Sequence, residues 1–381
     1  MMDRNLKIGV VGCGNISETY LTNASLFPGA DIQFCADLSE DRARTCADRF
    51  GIESLSLGQI FDHPDVDVMI NLTVPSAHFE VTKRALDAGK HVYSEKPLAV
   101  TLEQGVSLHR HAQESNLRLA IAPDTFLGAA GQKARRLIDQ GQIGEVIIGT
   151  ALMFSKGMEH VHPAPQFYYQ DGAGPVMDMG PYYLTMLVSL LGPIKRVLAM
   201  AREGETSRKI TAEGPTFGHA FKAEVPTSHL SLLEFHSGAQ IVFGASWDVH
   251  GHSNAHIELH GTKGTLKLPD PDTFGGSVHL ASFTGGWREF DTENMDLGGI
   301  NWPPQNPSIA NYRFAGLADM VCAIRENRPA RTDCSLGLHI LEAMTAINKA
   351  CGTGAEVCLT TLVKRPAAIE GFEDWLPQKM R

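Results

Sequence analysis

Three stretches of this chain combine residue types and spacings that suit chemistry. The segment VYSEKPLAV, residues 92–100, sets Glu95, Lys96 and Pro97 between two apolar runs. Charged side chains rarely stand in such a place without a partner. The lysine is either a strand-end side chain that snorkels to water or a working cation. The segment GAGPVMDMGPYYLTMLVSLLG places Asp178 and Tyr182 four residues apart, the spacing that puts two side chains on one helix face. The opening LKIGVVGCGNIS sets Gly12 and Gly14 between a β-rich run and a helical one.

That opening is a dinucleotide fingerprint whose third glycine is replaced by Ser17. Gly12 allows the tight turn. Gly14 lets the backbone approach a pyrophosphate at the start of a helix headed by Asn15 and Ile16, where free N–H groups and the helix dipole favour an anion. A second strand-like run ends at Asp37, close to the distance of about 20 residues at which an acid receives the ribose hydroxyls. A 2′-phosphate would be repelled there, so NAD is favoured over NADP. Arg42, five residues on, softens that preference. The bland alternative is a structural turn followed by a surface aspartate.

The elements that must hold these residues alternate through the first third of the chain. LKIGVV, ADIQFCAD, VDVMINLTV, HVYSEKPLA and LRLAIAP read as strands, and helical segments separate them. SEDRARTCADRFG carries a capping serine and a terminal glycine. Such alternation implies a parallel sheet with helices on both faces. After residue 128 the pattern becomes strand-rich, which predicts an open, mainly antiparallel sheet. GTKG joins two strands there as a hairpin. The expected division is residues 1–128, a dinucleotide-binding domain, and residues 129–381, a substrate and assembly domain whose last helices pack back on the first. The Gly- and Pro-rich stretches 269–276 and 298–307 read as surface loops. His250, His252, His256 and His260 read as one solvated sheet face.

Composition narrows the partners. Of 381 residues, 43% are hydrophobic and 20% charged, with a net charge of −10. That balance opposes a nucleic-acid surface, which needs a basic stripe, and an anionic membrane surface. Apolar runs are too short to span a bilayer. Seven cysteines without a CxxC pair read as free thiols in a reducing cytoplasm. His160 and His162 are two apart but have no third ligand at a convincing spacing, so no metal is expected.

Taken together, GVVGCGNIS, TVPSAH, AGKHVYSEKPLA and GPVMDMGPYYLTMLVSLLGP resemble, in that order and over nearly the whole chain, the glucose-fructose oxidoreductase, inositol dehydrogenase and rhizopine-catabolism (Gfo/Idh/MocA) family. The resemblance implies a Rossmann domain followed by an α/β domain with an open antiparallel sheet. It also implies NAD(P)-dependent hydride transfer to or from a hydroxyl or carbonyl of a sugar, cyclitol or related polyol. In such proteins the EKP lysine lies beside the nicotinamide. Carried over, Lys96 holds the substrate and lowers the pKa of a nearby acid/base group, because an adjacent cation favours the ionised form. Glu95 belongs to the same cofactor-side loop, and Pro97 restricts both residues to an extended turn.

TVPSAH brings Thr73, Pro75 and His78 past the nicotinamide ribose, with His78 equally readable as a packing residue under the loop. Asp178 matches a family aspartate. Tyr182 stands where inositol dehydrogenases have their acid/base histidine, a departure shared with glucose-fructose oxidoreductase and dimeric dihydrodiol dehydrogenase, which this chain resembles as a tyrosine variant. A free tyrosine is a weak base at neutral pH, so Tyr182 and Lys96 are expected to work as a pair. Asp124 and Thr125 either contact the substrate or cap the next helix. His160 and Tyr168 belong to a loop over the substrate mouth. Two other functions fit the same resemblance: a glycoside hydrolase with transient redox, and a non-catalytic NAD-binding sugar sensor. The apolar runs 230–235 and 241–247 suggest a homodimer or homotetramer through the second-domain sheet.

Overall fold

The computed structural model describes residues 5–283 and 285–371. They divide into two compact units. The first holds the described residues up to Gly128, Asn311–Leu341 and those from Pro366 on; the second holds Ala129–Ala310 and Glu342–Arg365.

In the first unit, β1 (Leu6–Val11), β2 (Ala30–Ala36), β3 (Glu53–Ser54), β4 (Val68–Asn71), β5 (His91–Ser94) and β6 (Leu119–Ile121) make a six-stranded sheet in the order 3-2-1-4-5-6. Every pairing is parallel. Strand β4 is wholly buried and β1 is buried from Ile8 onward, as expected of a sheet covered on both faces. The helices are α1 (Asn15–Ala24), α2 (Glu40–Phe50), α3 (Leu57–Asp62), α4 (Pro75–Asp87) and α5 (Leu102–Glu114). Ser39 caps α2 by accepting from the N–H of Arg42, and Gly51 ends it in the left-handed region at φ 68°. A reciprocal capping box between Ser56 and Gln59 starts the short α3, which the sequence pattern did not reveal. The strand order reverses between β1 and β4, and a crevice at the carboxyl ends of such strands is where ligands bind.

In the second unit, α6 (Ala129–Asp139) and α7 (Pro175–Leu191) accompany a nine-stranded sheet. Its strands are β7 (Val146–Phe154), β8 (Ile194–Arg202), β11 (Ser228–Phe235), β12 (Gln240–Ser246), β13 (Ile257–Gly261), β14 (Gly264–Leu268), β15 (Val278–Ser282), β16 (Trp287–Phe290) and β17 (Val357–Cys358). Between β8 and β11 in the chain, β9 (Ser207–Lys209) and β10 (Ala220–Lys222) form a separate antiparallel pair. The sheet is antiparallel except between β7 and β12. Thr262 and Lys263 turn the β13–β14 hairpin. Two further helices follow in the chain, α8 (Ala315–Glu326) within the first unit and α9 (Cys334–Thr353), in which the division between the units falls.

Two expectations are corrected here. The loop 269–276 is no surface excursion: Phe274 is fully buried, and its amide donates to the carbonyl of Ala310. The four histidines share no solvated strand face. Of them only His260 lies within a strand, and His256 meets the hydroxyl of Tyr183 at 2.7 Å.

Candidate active site

The turn between β1 and α1 is shaped by two glycines with different jobs. Gly12 has φ +103°, and a Cβ there would stand 2.7 Å from the backbone of Leu72. Only glycine allows the β1 and β4 turns to approach so closely. Over Gly14 the space is open to 4 Å. Gly14 caps α1 without a side-chain hydrogen bond, so the N–H groups that open the helix, at Asn15 and Ile16, give none to a capping side chain and carry the positive end of the dipole. Ser17, in place of the third glycine, is buried and returns its hydroxyl to the Gly14 carbonyl at 2.6 Å.

Asp37 sits just past the end of β2. One oxygen accepts from the amide of Cys13 at 2.9 Å, and the other accepts from the amide of Ser39 at 2.8 Å and pairs with Arg42 at 3.1 Å. Each carboxylate oxygen can accept more than one hydrogen bond, so the acid is fixed in place and still able to receive hydroxyls. Leu38 beside it is 88% exposed, and Val74, in the turn after β4, is 61% exposed. Apolar side chains held out at two strand ends suit the flat faces of two ring systems. Sequence reasoning passed over both residues, although each adjoins a residue it had chosen, Asp37 and Pro75. This arrangement fits a dinucleotide, which would lay its pyrophosphate over Gly14.

The β4 and β5 turns are tied together from below. Asn71 accepts from both the amide and the hydroxyl of Thr73, at 3.2 and 2.6 Å. His78 has no exposed surface, and its two ring nitrogens meet the carbonyls of Thr73 at 3.0 Å and Pro97 at 2.7 Å. Burial lowers its pKa against those carbonyls. With no ring nitrogen left for a cofactor, His78 is the packing residue under the loop, the second of its two expected roles.

Glu95 is likewise turned inward. It accepts from the Tyr20 hydroxyl at 2.8 Å and from the amide of Lys96 at 3.0 Å, so it braces the loop and does not line its outer surface. Lys96 is half-buried, and the peptide joining it to Pro97 is cis.

Asp124 and Thr125, expected either to contact the substrate or to cap the next helix, are each 1% exposed. Asp124 instead receives the amides of Phe314 and Gly316 at 3.1 and 2.9 Å, at the start of α8. It therefore caps a helix, though not the one next in sequence. Burial pushes its carboxyl up to about 6, opposed by those amides and Arg313.

In the second unit, α7 begins with Pro175, Asp178 lies in its first turn, and Tyr182 follows one turn later. Asp178 is half-buried and Tyr182 is 7% exposed. Tyr183, by contrast, is a core aromatic at 1%. His160 bonds Thr211 at 2.5 Å. Tyr168 packs against Phe167 and His162 and edge-on to Trp247.

Under that loop lies a buried ionic cluster that the sequence did not disclose. Arg208 pairs with Glu159 at 3.0 Å and with Asp248, and Glu159 also accepts from the Tyr169 hydroxyl. Asp248 accepts further from Thr227 and Ser228. The partners are far apart in sequence and no local pattern joins them. Removing one member of a buried pair typically costs about 3–5 kcal/mol, because the partner is left buried and uncompensated. Arg208→Met is expected to destabilise the second unit by about that amount, read as a lowered denaturant midpoint. A midpoint equal to that of the unmodified chain would show the cluster to be energetically idle.

Strand order, the bare helix end over Gly14 and the fixed acid at Asp37 define a Rossmann dinucleotide fold. Residues 6–122 match the model of an oxidoreductase family described as an NAD-binding Rossmann fold, and residues 132–267 match the GFO/IDH/MocA C-terminal domain. The chain is 31% identical over 268 residues to dTDP-3,4-didehydro-2,6-dideoxy-alpha-D-glucose 3-reductase of Streptomyces violaceoruber, covering 70% of this chain and 73% of that one. It is 25% identical over 240 residues to D-xylose dehydrogenase of Paenarthrobacter nicotinovorans, covering 60% of this chain and 61% of that protein's length. A solved levoglucosan dehydrogenase, in complex with NADH and levoglucosan, aligns at a TM-score of 0.81 and 22% identity over 94% of this chain and 100% of that one. The chain belongs to the GFO/IDH/MocA oxidoreductase family.

Proposed function

We propose that this protein is an NAD-dependent dehydrogenase or reductase that moves hydride between the nicotinamide and a CH–OH or carbonyl group of a sugar, cyclitol or related polyol. The observation that carries the reading is the open space over Gly14 at an uncapped helix N-terminus, beside an acid fixed at the next strand end. Gly12, Gly14, Asn15 and Ile16 would hold the pyrophosphate, Asp37 the adenosine ribose, with Arg42 at its side, and Thr73 and Pro75 the nicotinamide end. The bound cofactor supplies the hydride acceptor or donor.

The chain's own residues manage the proton. In this reading Tyr182 takes it from the substrate hydroxyl in oxidation and returns it in reduction. Lys96 hydrogen-bonds the same hydroxyl and favours the tyrosinate, while Asp178 orients the substrate one helical turn from Tyr182. His160 and Tyr168 are assigned to the substrate's far side. Relatives named for D-xylose, levoglucosan and a dTDP-hexose support a carbohydrate-like substrate. The deciding experiment follows nicotinamide reduction over a panel of sugars, cyclitols and sugar acids, with NAD and NADP in parallel. One compound class reducing NAD is expected. Tight NAD binding with no reduction across the panel would shift the reading to a hydrolase with transient redox, or to a sensor.

The reading extends to assembly and location. The sheet carries an exposed apolar strip in which Leu230 pairs with Met200 and Leu232 with Leu198, each between 43% and 79% exposed. From the run 241–247, Ile241 and Phe243 are fully buried, so the strip lies on β8 and β11. Contiguous apolar surface of this kind usually marks an interface, here between copies in a homodimer or homotetramer. Leu230→Glu with Leu232→Glu is expected to give monomers by light scattering. An unaltered mass, or a monomeric parent chain, would count against the interface. Among the described residues no helix is long and apolar enough to cross a membrane. All seven cysteines are free, and the reading places the enzyme in the cytoplasm, where thiols stay reduced.

A further inference from the structure

Cys13, Cys35 and Cys46 come from three different elements: the β1–α1 turn, the end of β2 and the middle of α2. Their sulfur atoms all lie within 4.8 Å of one another. Cys35 and Cys46 are buried and Cys13 is half-buried, so the group opens outward at Cys13. We propose that these three thiols form a binding site for a soft, thiophilic metal ion of the Cu(I) or Cd(II) type, and that its occupancy opposes dinucleotide binding at the adjoining glycine turn.

Geometry supports the first part. Three sulfurs on one ion at bond lengths of about 2.3 Å stand roughly 4 Å apart, within the spacing the side chains already have. A disulfide would use two of the three thiols and leave the third. The present sulfur contacts are weak and easily given up: Cys13 Sγ is 3.7 Å from the carbonyl of Ala36, and Cys35 Sγ is 3.4 Å from that of Ala43. Cu(I) is satisfied by three thiolates, whereas Zn(II) and Cd(II) would take a fourth ligand from solvent on the open Cys13 side. Among the described residues the cluster offers three thiols alone, which suits the softer ions that thiolates select. Each thiol that ligates gives its proton to solvent, and the ion takes the resulting thiolates.

The second part follows from where Cys13 stands, and it rests on the cofactor reading given above. Cys13 lies between Gly12 and Gly14, and its amide donates to Asp37. With three thiolates the occupied site carries a net charge of −2 with Cu(I) or −1 with Cd(II), directly beside the amides meant for an anionic pyrophosphate, and like charge disfavours the second anion. Coupling between two ligands is reciprocal, so NAD must weaken the ion to the same degree that the ion weakens NAD.

The test titrates the reduced full-length chain anaerobically with Cd(II) and follows thiolate-to-metal charge-transfer absorption. Four chains are compared: the parent, Cys46→Ala, Cys13→Ser, and a Cys351→Ser/Cys358→Ser control that removes thiols outside the cluster. One Cd(II) per chain is expected in the parent and the control, with at least tenfold weaker binding in each cluster variant. Absence of the band from the parent, or its survival in both cluster variants, overturns the site. Saturating Cd(II) is expected to weaken NAD at least tenfold. Unchanged NAD affinity overturns the coupling and leaves the site standing. Cd(II) binding by a chain that binds no NAD at all would instead overturn the cofactor reading on which the coupling rests.

Discussion

Lys96→Ala is expected to lower the turnover number for the identified substrate by about 10²–10⁴-fold, the range that a positioned acid–base contribution supplies. That corresponds to about 2.7–5.4 kcal/mol of transition-state stabilisation. The loop should survive the change, because other residues hold its backbone. Glu95 is anchored to Tyr20, the amide of residue 96 is held by Glu95, and His78 fixes the carbonyl of Pro97. NAD affinity, measured by fluorescence or calorimetry, is therefore expected to change less than threefold. Lys96→Arg keeps the charge but replaces a compact ammonium with a wide planar fork, and only partial activity is expected from it. Full turnover in Lys96→Ala would remove Lys96 from the chemistry. A collapse of NAD affinity with intact turnover at saturation would make it a cofactor ligand instead.

Tyr182→Phe is the second large effect, with turnover down by a similar factor of about 10²–10⁴. The substitution deletes one oxygen from a side chain that is 7% exposed, so packing is nearly conserved, and losing the hydroxyl's contact is expected to cost only about 1 kcal/mol. Its neighbour provides the control. Tyr183 is a core aromatic whose hydroxyl meets His256 at 2.7 Å, and burial raises its pKa. Tyr183→Phe is expected to cost some stability and leave the pH profile of turnover unchanged. For Tyr182 the pH profile is the discriminating readout. If its ionised form accepts the proton, oxidation in the parent chain rises with pH through that ionisation, and the rising limb disappears in Tyr182→Phe. An unchanged limb would assign the proton to another group, with Asp178 the next to test.

Several features of the first unit were legible before any coordinates. Gly12 and Gly14 sit at the start of the chain, between an apolar run and a helical one, and local spacing is enough to mark a tight turn. Ser39 and Gly51 bracket α2 as cap and stop because capping is a property of a few adjacent residues. The run VMIN reads as a strand buried on both faces because every residue in it is apolar except the last. The antiparallel habit of the second sheet was also legible from closely spaced strands and from the turn at GTKG.

The direction in which a side chain points was not legible. Glu95, His78 and Asp124 were chosen because they neighbour the loops expected to work, and all three turned out to brace those loops from inside. Their partners are Tyr20, Pro97 and the amides of Phe314 and Gly316, between 19 and 192 residues away. The ionic cluster of Glu159, Arg208 and Asp248 was hidden for the same reason.

What the sequence determined by itself is whatever depends on near neighbours: the strand and helix alternation, the glycine turn, the acid at Asp37 and the EKP turn, along with the family resemblance those motifs carry. What only the tertiary structure decided is whatever depends on long-range packing. It sorted bracing residues from exposed ones and put the apolar strip on β8 and β11. It also gathered Cys13, Cys35 and Cys46 from three elements into one group of sulfurs. The physical reason is that a turn or a cap is paid for within a few residues, whereas burial is settled by elements that meet only after the whole sheet has closed around them.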